Sequence, residues 1–168
     1  LSAWCKIVFD CMEKQSNSVS FYFATNPLYY ADLYIDGSKI TDLIIPTDIT
    51  EIKNSTFMGC SSLTNVQLHD GITSIGYYAF GNCTSLTSIT IPKSVVKMAE
   101  YCFEDCNNLK TINCKATVPP SILYNNANWI HLFDSYVERI NVPSESVSSY
   151  KSAVGWKDYK NKIWGYDF

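Results

Sequence analysis

Seven cysteines, two histidines and a scatter of carboxylates are the side chains of this 168-residue chain that can do chemistry. A thiol beside an imidazole would give nucleophilic catalysis. Paired cysteines would give a disulfide or half of a zinc site, and closely spaced aspartates would hold calcium. Spacing decides between these options. Cys60, Cys83 and Cys106 fall 23 residues apart, and so do Phe57, Phe80 and Phe103, and Leu63, Leu86 and Leu109. A cysteine that repeats in step with a phenylalanine and a leucine occupies a packing position, where it acts as a compact apolar side chain. Cys102 replaces Ala79 and Thr56 at a small-residue position, and Cys114 falls where Ile45, Leu68 and Ile91 fall. These five read as buried free thiols, because parallel side chains on stacked units rarely reach the disulfide torsion. The odd count leaves at least one thiol unpaired in any case, and Cys5 and Cys11 are the pair to test for a bridge.

The other constellations fail on spacing too. Cys102-x-x-x-Cys106 is one pair where zinc wants two, and Cys106 is already used by the repeat. Asp36, Asp42, Asp48 and Asp70 do not follow calcium-loop spacing. Neither a phosphate-cradling glycine loop nor a GxSxG elbow is present. His69 occupies a corner just after a strand, where other units carry Pro, and reads as a solvent-facing turn residue. His131 lies in an irregular loop and reads as a packing residue, so an enzyme would have to use Cys5 or Cys11 as nucleophile near a histidine. Asn54-Ser55-Thr56 and Asn82-Cys83-Thr84 are glycosylation sequons that matter only in a eukaryotic secretory host. The expectation is a non-enzymatic chain with no cofactor and no metal.

The elements that must position these residues follow from the same register. Self-similarity at a period of about 20–50 residues means stacked units rather than one wrapped core. Units 40–62, 63–85 and 86–108 align without gaps. Each opens apolar-x-x-apolar-x-apolar (Ile40/Leu43/Ile45, Leu63/Val66/Leu68, Leu86/Ile89/Ile91), whose last two positions alternate as in a half-buried strand. The spacing recurs at Leu109/Ile112/Cys114, at Val137/Ile140/Val142 and at Trp4/Ile7/Phe9, which predicts about six strands in one parallel sheet. A single domain over 1–168 follows, with an atypical first unit and hairpin insertion (1–39), regular units (40–114), an insertion loop (115–136), and a last strand with a C-terminal cap (137–168). The hairpin is cued by Asp36-Gly37 and the insertion by an aromatic cluster of Tyr124, Trp129, His131 and Phe133. In the cap, Ser144 is positioned to cap a helix with Val147, Tyr150 and Val154 on one stripe. Nothing comparable covers the side of Trp4. The opening Leu1-Ser2-Ala3-Trp4, with no initiator Met or signal peptide, reads as a mature or truncated piece of something longer.

The pattern I-T-x-I-x-x-x-A-F-x-x-C-x-x-L-x-x-I-x-I-P from Ile72 to Pro92 resembles the BspA-like (Treponema pallidum-type) leucine-rich repeat family. Asn26-Pro27-Leu28-Tyr29-Tyr30-Ala31 resembles a recurring variant unit of that family. Val142-Pro143-Ser144, Tyr150-Lys151 and Gly155-Trp156 resemble its C-terminal closure. Departures fall at His69, at Lys97-Met98-Ala99 and at Cys114. The resemblance implies an α/β or mainly-β solenoid: a right-handed leucine-rich repeat coil with strands on the concave side and irregular convex turns. It also implies a secreted or surface-displayed bacterial protein, some relatives of which are adhesins for host matrix proteins.

On that frame the functional element is a surface. The outward strand positions Asp42/Ile44, Asn65/Gln67, Ser88/Thr90 and Thr111/Asn113 would stack into a ribbon of amide and hydroxyl groups, suited to a polypeptide or glycan. Tyr124 and Trp129 of the aromatic loop are the second candidate. The partner expected is a host matrix or surface protein, or a glycan, with a structural spacer as the competing role. A net charge of −3 and the absence of any Lys/Arg run argue against nucleic acid, and no segment approaches a membrane-spanning apolar run.

Overall fold

The alternating apolar positions do form strands, and the strands stack in parallel. The structure, a computed structural model, describes residues 33–35, 38–124 and 131–168. It begins with the hairpin expected around Asp36-Gly37: β1 (Tyr34–Ile35) runs antiparallel to β2 (Ser38–Lys39), with Ile35 opposite Ser38. The coil then alternates between two sheets. β3 (Asp42–Ile44), β5 (Asn65–Gln67), β7 (Ser88–Ile91), β9 (Thr111–Cys114) and β11 (Arg139–Pro143) lie on the concave side. β4 (Glu51–Ile52), β6 (Ser74–Ile75), β8 (Lys97–Ala99) and β10 (Ser121–Leu123) form a four-stranded parallel ladder of their own. The convex side, expected to be irregular, is therefore partly regular: the second apolar pair of each unit (Ile49/Ile52, Ile72/Ile75, Val95/Met98) ends on a short strand. The strand expected at Trp4/Ile7/Phe9 lies outside the described residues, as do Cys5 and Cys11.

Register is kept to the residue. Asp42 pairs with Asn65, Ser88 with Thr111, Glu51 with Ser74 and Ser74 with Lys97, always 23 positions on. Only between β5 and β7 is the concave ladder interrupted, although the two strands lie side by side. Repetition places each side chain over its own copy. Phe57 stacks on Phe80 at 5.4 Å and Phe80 on Phe103 at 5.5 Å, all fully buried. The five cysteines of the frame are buried and unbridged, as their spacing predicts. The Cys83 thiol donates to the Phe57 carbonyl at 3.3 Å and the Cys106 thiol to that of Phe80 at 3.0 Å, so the sulfur ladder links coil to coil. Burial pushes the Cys83 and Cys102 thiols well above their ordinary range and Cys114 up to about 11.

The turn between the sheets bends through left-handed backbone at Ser55, Tyr78 and Tyr101, and again at Gly59, Asn82 and Asp105. Gly, Asn and Asp accept that basin readily. Tyr78 and Tyr101 accept it under constraint: their rings stack at 5.2 Å, and the Tyr101 N–H donates to the His131 carbonyl.

The described residues on either side of the insertion, 115–124 and 131–136, are partly regular. β10 pairs with β8 after one extra residue (Lys97 opposite Ser121), and the coil re-enters at Leu132-Phe133, both buried. Phe133 stacks on Phe103 at 5.9 Å and His131 on Tyr101 at 6.2 Å, so two members of the expected aromatic cluster extend the ladders. The tail also differs from expectation. A 3₁₀ turn (Ser144–Ser146) leads into α1 (Val147–Ser152) without a side-chain cap; the Ser144 hydroxyl donates to Asp167 instead. Val154 is exposed, because the helix ends before reaching it. After a second 3₁₀ turn (Lys157–Tyr159), β12 (Ile163–Tyr166) pairs in parallel with β11, with Ile140 opposite Ile163. The cap thus ends in a further concave strand.

One electrostatic feature accompanies the re-entry. Burial, and then the charges of Asp134 and Asp105, push the half-buried Glu104 carboxyl up to about 7, and Asp134 is shifted the same way by burial and Asp105. The native chain therefore holds a proton that the unfolded chain releases above the ordinary value of 4.5, and stability falls as pH rises through that window.

These features give three expectations. Phe80→Ala loses a ring from the middle of the stack and is destabilised by about 3–5 kcal/mol in urea unfolding, while exposed Thr87→Ala stays within about 0.5 kcal/mol. In a Cys5→Ser, Cys11→Ser variant, a thiol reagent titrates none of the remaining five cysteines until denaturant is added. The midpoint of thermal unfolding is higher near about pH 5 than near about pH 8, and Glu104→Gln flattens that slope.

Candidate functional site

Inward apolar residues leave the alternate positions of each concave strand facing out, and parallel register lines them into rows. One row runs Asp42–Asn65, then Ser88–Thr111–Arg139. Its neighbour runs Ile44–Gln67, then Thr90–Asn113–Asn141–Trp164. Asp42, Ile44, Asn65, Gln67 and Ser88 are exposed, and Thr90, Thr111 and Asn113 half-buried. The expected ribbon is thus assembled. At its N-terminal end the Asn65 amide donates to Asp42 Oδ1 at 3.3 Å, and Thr41 donates to the other carboxylate oxygen at 2.9 Å.

The C-terminal end carries three residues that the sequence reading did not assign to this face: Arg139, Asn141 and Trp164, the last expected as an apolar ring of the cap. Asn141 is 6% exposed. Its amide donates to Asn113 Oδ1 at 2.8 Å, and its own Oδ1 accepts from Arg139 Nε at 2.7 Å. The guanidinium lies 5.5 Å from the centre of the Trp164 ring, which is 53% exposed. Extending the outward rows to the Val137/Ile140/Val142 strand was enough to find Arg139 and Asn141. Trp164 lies 23 positions after Asn141, but its segment lacks the apolar-x-x-apolar-x-apolar opening that marks the other units. Beside this group, Lys110 pairs with Glu138 at 3.3 Å and lies over Tyr136, and Lys115 lies over Phe168.

The remaining candidates fall elsewhere. Tyr124 is exposed at the end of β10, on the convex side and away from the rows; Trp129 lies outside the described residues. His69 is half-buried rather than solvent-facing. Its Nδ1 accepts from the Gly71 N–H at 3.0 Å, and Nε2 meets the Pro46 carbonyl at 3.1 Å, so the ring bridges two coils at a corner that Pro occupies elsewhere. A Cβ on Gly71 would sit 2.8 Å from that ring, which explains the glycine. His131 is exposed against Tyr101. Every described cysteine is buried, so none presents a thiol at the surface. Among the described residues no group of three or more His, Cys, Asp or Glu side chains is placed to hold a metal ion, and no helix is long and apolar enough to cross a membrane.

Comparison with known proteins bears on the fold and its family. Residues 31–153 match the BspA-type leucine rich repeat region in six copies. A leucine-rich repeat protein from Bacteroides ovatus has a similar structure, with 28% identity, 82% of this chain covered and a TM-score of 0.54. A leucine rich cell surface protein from Faecalibacterium prausnitzii is 23% identical over 59% of the chain, with a TM-score of 0.45. The chain spans about a third of each of these structures, 33% and 31%. No curated protein matches it. The register, the parallel coil and the family match agree: the chain belongs to the BspA-type leucine-rich repeat family.

Proposed function

We propose that this chain is a non-enzymatic binding module of a secreted or surface-displayed bacterial protein, and that its concave face receives the partner, a host matrix or surface protein or a glycan. The observation that carries this reading is the pair of outward rows. Across successive strands they set amide, hydroxyl and charged groups in register at a spacing of about 4.8 Å. An extended chain laid across the strands would meet a hydrogen-bonding group at each step. Family membership favours a surface setting, and the five buried thiols favour binding over thiol chemistry.

Alanine at Asn65, Gln67, Thr90 and Asn113 together tests the proposal, because these side chains lie outside the apolar core. The quadruple variant is expected to unfold within about 2 kcal/mol of the parent and to lose binding on arrays of matrix proteins and glycans. Unchanged binding would move the site to the insertion around Tyr124 and Trp129. An absence of binding by the parent itself would favour a spacer.

A further inference from the structure

The chain's only arginine is the outward residue of β11, and the structure holds it in place without neutralising it. Its Nε donates to Asn141, and its plane lies near the Trp164 ring. No carboxylate pairs with it among the described residues. The terminal N–H groups, the fork that grips a carboxylate with two parallel bonds, remain available. Asn141 is the anchor: it is more than nine-tenths buried and spends its oxygen on Arg139 and its amide on Asn113. Losing rotamer freedom in advance lowers the entropy lost on binding. By contrast, Lys110 is paired with Glu138.

We infer that Arg139, Asn141 and Trp164 form a subsite on the concave face for the carboxylate-bearing residue of an acidic saccharide. This rests on the proposal that the concave face is the binding surface, and names the chemistry it selects. Arg139 takes the carboxylate. The exposed part of the Trp164 ring takes the C–H face of the sugar. Asn113 and Thr90, next along the same row, offer amide and hydroxyl groups to neighbouring rings, since a pyranose is about as long as the strand spacing of about 4.8 Å. A saccharide fits better than a protein because protein interfaces centre on a buried apolar patch. In the two outward rows the large apolar side chains are Trp164 and, at the opposite end, Ile44. The exposed rings of Tyr136, Tyr166 and Phe168 lie beside the Trp164 end, with Lys110 over Tyr136 and Lys115 over Phe168, so rings there stand among amide, hydroxyl and cationic groups. Rings set among hydrogen-bonding groups suit a sugar, with one apolar face and a polar rim.

Calorimetry of the full chain with a short oligogalacturonate and with sialyllactose, each against its methyl ester, tests this. Wild type should bind at least one acid roughly tenfold more tightly than its ester, and more weakly as salt is raised. Arg139→Gln should abolish that preference. Arg139→Lys should keep only part of it, because an ammonium keeps the charge without the fork. Trp164→Ala should weaken acid and ester alike. Thermal unfolding of each variant separates lost binding from lost folding, and Asn141→Ala should weaken acid binding with Arg139 still present. Equal affinity for acid and ester overturns the inference, as does a preference that survives Arg139→Gln. Binding of a neutral glycan or a protein that is lost in the four-alanine variant but unmoved by Arg139→Gln overturns the subsite and leaves the concave-face proposal standing. Binding that neither set of changes affects overturns both.

Discussion

No coil of this protein can close a core by itself. Each unit turns a Phe, a Cys, a Leu and its inward strand residues toward neighbours on both sides, so stability depends on one coil lying in register on the next. A shift of one residue would turn inward strand residues outward. Phe57, Phe80 and Phe103 stack on one another, and the thiol-to-carbonyl bonds of Cys83 and Cys106 recur at the same 23-residue interval. Backbone bonds outside the sheets recur at that interval too: Phe57 N to Ala79 O, then Phe80 N to Cys102 O. The chain therefore tolerates extra residues only where it can leave the stack and return. The extra residues show as offsets of 24 at Lys97–Ser121 and 28 at Thr111–Arg139, and Phe133 still resumes the ring ladder over Phe103.

Registered stacking has a consequence at the end of the coil, where backbone carbonyls and apolar rings would face water. The tail supplies side chains as replacements for the missing coil. Ser146 donates to Thr117 O, Tyr150 to Ala116 O, Trp156 to Pro120 O and Tyr159 to Phe133 O. Trp156 and Tyr150 are fully buried, with rings nearly perpendicular at 4.9 Å. The same tail returns to the concave side as β12, restoring the 23-residue offset between Ile140 and Ile163. The segment that solves the end problem thus also delivers Trp164 to the exposed face.

Legibility in the sequence followed the same physics. Positions that stack on their own copies repeat in type, so the inward strand residues, the Phe and Cys ladders and the outward ribbon were all visible. The β12 strand was not, because Ile163-Trp164-Gly165-Tyr166 keeps the 23-residue offset from β11 without the apolar-x-x-apolar-x-apolar opening of a unit. The convex strands were missed as strands because two or three residues are too few to show a period of two. Ser144 misled for a simpler reason: a serine before a helix is a good cap only if the chain enters directly, and here a 3₁₀ turn intervenes. Of the site, the middle rows were readable from spacing alone, whereas the Arg139–Trp164 contact runs diagonally between rows, and the spacing that pairs Asn141 with Trp164 does not show it.

The outward rows are the part of the protein that packing leaves unspecified, and their composition is uneven. Amides and hydroxyls fill the middle, with Asp42 and Ile44 at one end and Arg139 and Trp164 at the other. A stable sheet face does not need a buried asparagine. At the Asn141 position a β-branched residue would suit the strand and leave no polar group to satisfy, whereas a buried amide is tolerable only with both ends bonded. Asn141 meets that condition through Asn113 on one side and Arg139 on the other. The ring contact adds only about 0.5–1 kcal/mol, so it is chiefly the bond to the buried Asn141 oxygen that fixes the guanidinium. The bond that satisfies the buried amide thus also aims at solvent a guanidinium that no carboxylate pairs with among the described residues, so one arrangement serves both the strand and the surface.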